Sequence, residues 1–407
     1  MKRMFSGTTW YDPSKTFNGY TLWSPITVYM QNADKPYQTP GEVNLVDMRG
    51  NIVHKWKTAF PTFYCYLLEN GNLLCGLNST ETDGSRPGVP PYYMGGTQGY
   101  LHEYDWEGNL VFEHKDLTMH HDFKKLPNGN YMYLGWERVP AEMRKKVRGG
   151  RRGTEFADGT MWADTINEID PKGNLVWQWR AIEHMDFDTD IIGPIHTREE
   201  WSHQNTLWVC EDGDIMSSSR HIDMAFKISK KTGEITWRWG NVAYLDKESG
   251  TVERKDAPEC LGGPHDVHII PSGLPGAGNM LCYDNGMYAY ISRAVEVDMK
   301  TKEIVWSSVS DDQPICVSGR VPFSLFISGA RRLPNGNTLL CEGANGRLYE
   351  VTREKEVVWE YWRPEKDKHN GVMDGVTPWA IFRCFRYAPD FCPQFAKLPK
   401  AEGEPIM

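Results

Sequence analysis

Asn167–Trp179 reads NEIDPKGNLVWQW. Asp170-Pro171-Lys172-Gly173 is a turn with a mechanism: Pro presets one backbone angle, Gly accepts a left-handed one, and Asp bonds back to the chain. The residues on either side suit a pleated, half-buried surface. The stretch therefore reads strand, turn, strand. It recurs, with variations, as NLVDMRGNIVHKW from Asn44, HEYDWEGNLVFEH from His102 and FKISKKTGEITWRW from Phe226. VEVDMKTKEIVW from Val295 and YEVTREKEVVWEY from Tyr349 complete the set.

A second hairpin follows each copy after a loop of variable length. It is clearest in HHDFKKLPNGNYMYLG from His120 and ISGARRLPNGNTLLCEG from Ile327. TFYCYLLENGNLLCG from Thr62, HQNTLWVCEDGDIMSS from His203 and HDVHIIPSGLPGAGNMLCYDNG from His265 are more divergent. The last copy, around Thr377–Tyr387, is degraded, as a terminal repeat often is. Two hairpins make a four-stranded antiparallel sheet, and such sheets bury their faces by radial stacking. The expected fold is all-β: a six-bladed β-propeller of four-stranded antiparallel blades, in one domain over residues 1–407. Residues 1–40 form an N-terminal segment, in which Tyr20–Val28 closes the ring. Residues 41–398 form the blades and 399–407 a tail. The repeated Trp56, Trp177, Trp237, Trp306 and Trp359 are read as packing between blades. The largest loops are 78–98, 138–162, 182–200 and 241–263, and long loops on a rigid scaffold usually carry function.

Composition agrees. Aromatic residues reach 12%, with Gly and Pro plentiful, which suits many short strands joined by turns. A net charge of -9 argues against a general nucleic-acid surface. The one basic run, RKKVRGGRR at 144–152, is read as a solvated loop, with the rim of an anion pocket as the alternative. No apolar run is long enough to cross a membrane, and MKRMFSGTTWYDPSK at the start has no apolar run after its charges. The nine cysteines form no metal-type pair, and Cys75, Cys282 and Cys341 fall at matched strand positions. A reducing cytoplasm is the expected compartment.

The polar residues at the start of the second hairpin carry the chemistry. They are His121, His203 and His265 in three units, Ser328 in another and Phe63 in the first. If this hairpin holds the innermost strand, these positions converge on the ring axis. One histidine there would be a plain cap. Three at matched positions are read as functional, with Arg220 on the strand paired with that of His203. His120 and His268 are expected to support them, whereas His54, His102, His114, His184, His196 and His369 follow no pattern. Converging imidazoles fit a metal centre or the transfer of an anionic group by an imidazole nucleophile. Arg220 favours the second, because a fixed cation repels a divalent metal and suits a sulfuryl or phosphoryl oxygen pair.

These residues, with SHQNTLWVCEDGDIMSSSRHIDMAFKISKKTGEITWRWG, GGPHDVHIIPS, GNMLCYDNG and ARRLPNGNTLLCEGANGRLYEVTREKEVVWEY, resemble the bacterial aryl-sulfate sulfotransferase family. The resemblance implies a six-bladed propeller with a central site. It implies nucleotide-independent movement of a sulfuryl group from a phenolic sulfate to a phenol through a sulfohistidine, with no cofactor. It assigns His265 as nucleophile, with His203, Arg220 and His121 on the sulfuryl oxygens or the leaving phenolate. Ser328 stands where the family has threonine. Phe63, Tyr64 and Trp379 are candidates to stack on the aryl ring, and Asp266 or another acid to orient His265. The expected partners are an aryl sulfate donor and a phenolic acceptor, neither nucleic acid nor membrane, with a homo-oligomer left open. Beside the best-known members, which carry an extra N-terminal β-domain, the chain is expected to represent a shorter, cytoplasmic branch. The competing readings are a metal-dependent lyase, hydrolase or oxidoreductase with the three histidines as ligands, and a non-catalytic binding propeller.

Overall fold

A computed structural model describes residues 5–26, 40–79, 81, 88–91, 93–246, 248–249, 251–255, 257–309, 321–364 and 379–406. Six antiparallel sheets stand in a ring. In chain order from the inside outwards, blade I is Thr62–Leu67, Leu73–Asn78, Gly99–Tyr104 and Leu110–Lys115. Blade II runs from Met119–Lys125 to Leu175–Arg180, blade III from Gln204–Val209 to Ile235–Trp239 and blade IV from His265–Ile269 to Ile304–Ser307. Blade V runs from Gly329–Arg332 to Val357–Trp362, and Gly7–Tyr11 pairs with its outer edge. Blade VI joins the chain ends: Ile381–Tyr387 is innermost, followed by Tyr20–Pro25, Gly41–Val46 and Ile52–Thr58.

The sequence repeat is out of phase with the blades by half a unit. A unit cut as outer hairpin then inner hairpin straddles two sheets. A blade pairs each inner hairpin with the outer hairpin that follows it. The degraded stretch near the end of the chain lost its hairpin partner because that partner comes from the N-terminus. Tyr20–Pro25 does close the ring, as the second strand of the closing blade. Thr27 and Val28 lie outside the described residues, as does His369.

The tryptophans latch one blade to the next. The indole N–H of Trp56 donates to the carbonyl of Asp105 in the outer turn of blade I (3.2 Å). Trp179 reaches Gly233 (2.8 Å), Trp237 reaches Met299 (3.0 Å), Trp306 reaches Arg353 (2.8 Å) and Trp359 reaches Met48 (2.8 Å). In blade II the latch is Trp179; Trp177, the residue expected there, is only partly buried. Between blades I and II the place is taken by Phe112, stacked on Tyr131 at 3.9 Å. Trp359→Phe keeps a ring but removes one of two hydrogen bonds to the Met48 carbonyl, leaving the one from the Thr8 hydroxyl (3.2 Å). It is expected to cost about 0.5–1.5 kcal/mol, read as a lower urea midpoint at unchanged slope.

The inner strands are tied across the axis by polar groups. The Arg383 guanidinium, from blade VI, donates to Asp122 of blade II (2.6 Å) and to the Asn205 carbonyl (2.8 Å) and Thr206 hydroxyl (3.1 Å) of blade III. Its Nε lies 3.1 Å from Asp266 of blade IV. Asp122 also accepts the Leu207 N–H (2.8 Å) and the Tyr64 hydroxyl. One buried cation thus holds four blades at the centre, below the cavity described next.

Candidate active site

At the top of the inner strands the backbone turns left-handed at non-glycine residues: His121 (φ 48°), His203 (φ 54°), Asp266 (φ 57°), Ile327 (φ 54°) and Ser328 (φ 99°). The ladder slips register at the same level in blades I to IV. Such bulges re-aim side chains, and a left-handed side-chain-bearing residue costs about 1–3 kcal/mol, sustained where the surroundings over-determine it. Here the recurrence turns His121, His203 and His265 toward one central cavity of about 290 Å³.

His121, His203, His221, His265, Glu200 and Arg220 form its polar wall, and Ile26, Phe63, Met94 and Phe326 much of its apolar one. The His121 and His203 rings meet edge to face at 4.6 Å, and His221 stacks on the far side of His203 at 4.5 Å. Burial, reinforced by the neighbouring imidazoles and guanidinium groups, pushes His121 and His203 well below the usual histidine range. Burial and the Arg220 charge push His265 down to about 3. All three rings are therefore neutral near pH 7. Arg220 is half-buried at the cavity wall. Its Nη2 touches the Met287 sulfur (3.7 Å), its Nε has no hydrogen-bond partner, and no described carboxylate forms an ion pair with it. A half-buried guanidinium without an ion pair is partly desolvated at a cost, and an anion in the cavity would offset it.

The hydrogen-bond partners assign the tautomers. His265 Nδ1 faces two acceptors, Asn285 Oδ1 (2.8 Å) and the Gly263 carbonyl (3.0 Å), so Nδ1 carries the hydrogen. The Asn285 amide is fixed because its nitrogen donates to the Ser324 (2.7 Å) and Ile327 (2.9 Å) carbonyls. His265 Nε2 is then a bare lone pair, and it accepts the Ile327 N–H at 3.2 Å. Asp266 does not orient this ring. Its left-handed backbone sends the carboxylate to Arg331, Arg383 and the Ala330 N–H. His120 supports His121 as expected: the two Nδ1 atoms are 2.9 Å apart, and His120 Nε2 lies 3.3 Å from Asp164. One of the two facing Nδ1 atoms therefore carries the shared hydrogen. His268 instead bonds the Asp266 carbonyl (2.9 Å), away from the cavity.

The other candidates separate. Phe63 lines the cavity. Tyr64 is buried beneath it, hydrogen-bonded to Asp122. Ser328 lies behind the wall, donating to the Ser324 hydroxyl (2.8 Å) and accepting the Gly343 N–H (3.0 Å). Trp379 is half-buried beside Gly346 and does not line the cavity. The basic run does not line it either; the Arg151 N–H braces the rim by donating to the His196 carbonyl (2.9 Å). Three site residues escape a reading based on matched strand starts: Glu200, His221 and Asn285. Glu200 had a local signal, an acid three residues before His203, and His221 follows Arg220 directly. Asn285, twenty residues from His265, had none.

Gly95 and Gly96 lie against these rings. Gly96 has φ +91° and its carbonyl accepts the His121 N–H (3.0 Å); a Cβ there would collide with the His121 ring. A Cβ on Gly95 would stand 3.3 Å from His203. Gly96→Ala is expected to displace His121 and cut turnover about 100-fold, with a lowered melting temperature because a left-handed alanine costs about 1–3 kcal/mol; unchanged turnover would contradict the placement of that ring.

Among the described residues, no group of His, Cys, Asp and Glu side chains is arranged to hold a metal ion. Fold and site together define a six-bladed propeller whose central pocket gathers four histidines, Arg220 and Glu200. The sequence profile of the arylsulfotransferase (ASST) family matches residues 26–370. The chain belongs to that family, and membership supports aryl sulfotransferase activity in general. No curated protein matches it. Among solved structures, a Bacteroides caccae protein of unknown function shares 12% identity at a TM-score of 0.50, covering 90% of this chain and 98% of that one. Virginiamycin B lyase from Staphylococcus aureus shares 10% identity at a TM-score of 0.39, covering 89% and 97%. At these identities the first likeness shows the fold alone.

Proposed function

We propose that the chain moves a sulfuryl group from an aryl sulfate to a phenolic acceptor, without a nucleotide, through a sulfohistidine on His265. The observation that carries this reading is the unpaired Arg220 guanidinium on the same wall as three neutral imidazoles. The sulfuryl oxygens sit against Arg220, the His203 Nε2–H faces the phenolic oxygen, and the aryl ring lies toward Phe63, Met94 and Phe326. His265 Nε2 attacks sulfur with its bare lone pair as the phenolic oxygen departs. The Ile327 N–H gives up its bond to that nitrogen and is left beside the new N–S bond, where it donates to a sulfuryl oxygen. An acceptor phenol entering the emptied aryl site then reverses the steps.

The test is an assay with 4-nitrophenyl sulfate as donor and 1-naphthol as acceptor, with no nucleotide present. Expected are nitrophenol release that depends on the acceptor, parallel lines in double-reciprocal plots, and formation of naphthyl sulfate. Absence of release across a panel of aryl sulfates would sink the reading.

A further inference from the structure

We propose that Glu200 stores the proton of the reaction between its two half-steps, passing it through His203 to and from the phenolic oxygen. The proposal rests on the sulfuryl-transfer reading above and adds to it a residue that the resemblance does not assign.

Glu200 lies on a two-residue strand, Glu200–Trp201, that pairs in parallel with Trp162–Ala163 of blade II. The carboxyl is buried and lines the cavity, and its Oε2 is 2.9 Å from His203 Nδ1. No described Lys or Arg forms an ion pair with it, while two acids, Asp164 and Glu199, face it. Arg220 is the cation that opposes them, Trp136 lies beside the carboxyl, and His221 caps the strand by its Nδ1 contact to the Glu200 carbonyl (3.2 Å). Asp164 is itself held by His120 and the Ser202 hydroxyl. Burial first, then the two acids, raise Glu200 well above the usual carboxylate range. In the proposed relay a protonated Glu200 faces His203 Nδ1 across that 2.9 Å contact, which the ring must turn slightly to align as a hydrogen bond, and the His203 hydrogen is on Nε2.

The charge balance of the transfer needs such a group. The His265 Nδ1 hydrogen is held by an amide and a carbonyl oxygen, and neither is a base. When Nε2 bonds sulfur and the S–O bond breaks, the ring keeps that hydrogen. It becomes a cation carrying an anionic sulfo group, neutral overall. The negative charge of the donor leaves on the phenolate. His203 Nε2–H protonates that oxygen, the Glu200 proton moves to Nδ1, and the charge rests on the Glu200 carboxylate. In the second half the acceptor phenol returns its proton by the same route. Its oxygen bonds sulfur, and the N–S electron pair goes back to Nε2. Donor and acceptor are the only reactants. Because no carboxylate neutralises the His265 ring, the sulfo group stays on a good leaving group.

The experiment compares single-turnover phenol release from phenyl sulfate and from 4-nitrophenyl sulfate, in the parent and in Glu200→Gln. Phenolate is a poor leaving group that needs the proton; nitrophenolate is not. Loss of a positioned acid is worth about 100-fold or more. That loss is expected on phenyl sulfate, with at most a few-fold loss on the nitrophenyl donor. In the parent, the phenyl sulfate rate should fall as pH rises and Glu200 ionises, and the nitrophenyl rate should not. This arm needs no variant, so it decides the question even if Glu200→Gln does not fold. Equal losses on both donors, or a matching pH limb on both, would overturn the role of Glu200 alone. No release from either donor by the parent would overturn the sulfuryl-transfer reading with it.

Discussion

His265→Ala is expected to lower phenol release from aryl sulfates by at least about four orders of magnitude while leaving donor binding within a few-fold of the parent. The size follows from covalent catalysis. Removing a nucleophile removes the path, whereas removing an oxygen donor only raises its barrier by about 3–4 kcal/mol. Retained binding follows from the layout. Arg220, His203 and the apolar wall come from other strands and do not rely on the His265 ring for position. The variant orphans the Ile327 N–H and removes the hydrogen bonds from Nδ1 to Asn285 and Gly263, a cost of about 1–3 kcal/mol, so it should fold. Donor affinity by calorimetry and burst kinetics measure the two quantities separately. A drop of only ten-fold would assign the nucleophile to another residue, for which His121, on the same cavity wall, is the first candidate.

Arg383→Met is expected to give the largest loss of stability, about 3–5 kcal/mol. That is a large share of the roughly 5–15 kcal/mol by which folded domains usually exceed their unfolded state. The guanidinium bridges Asp122, Asn205, Thr206 and Asp266, so its removal leaves two buried carboxylates without their shared cation. Adding Asp122→Asn removes one of those charges, and the double variant should therefore be more stable than the sum of the two single losses. Urea midpoints of the single and double variants test this. A loss under about 1 kcal/mol for Arg383→Met would mean that the carboxylates find other partners and that the axis is not pinned by this residue.

The ring was legible because a propeller writes itself into the sequence repeatedly. Asp-x-x-Gly turns and trailing Trp recur in register, and each copy corroborates the others. The phase of the repeat was not legible: hairpins announce their own turns, but pairing between hairpins is made across loops of uneven length. The same logic governs the site. His121, His203 and His265 stand at equivalent places, so the repeat exposes them. Glu200 sits on a strand outside the four of its blade, and Asn285 follows the second strand of another. No repeat position marks either. Asp266 does not serve His265 because adjacency in sequence does not put a carboxylate beside the neighbouring ring; this one is taken by Arg331, Arg383 and the Ala330 N–H, which come from distant strands that the sequence does not place. Tyr64 differs from Phe63 in the ordinary way, one turned to the cavity and the other beneath it.

The most direct test is intact-mass spectrometry of the parent protein, quenched in alkali seconds after mixing with 4-nitrophenyl sulfate and no acceptor. Expected is a single added sulfuryl group per chain, mapped to the peptide that contains His265, discharged by 1-naphthol and absent in His265→Ala. Stoichiometric nitrophenol release with no adduct, or an adduct that persists in His265→Ala, would contradict transfer through this histidine.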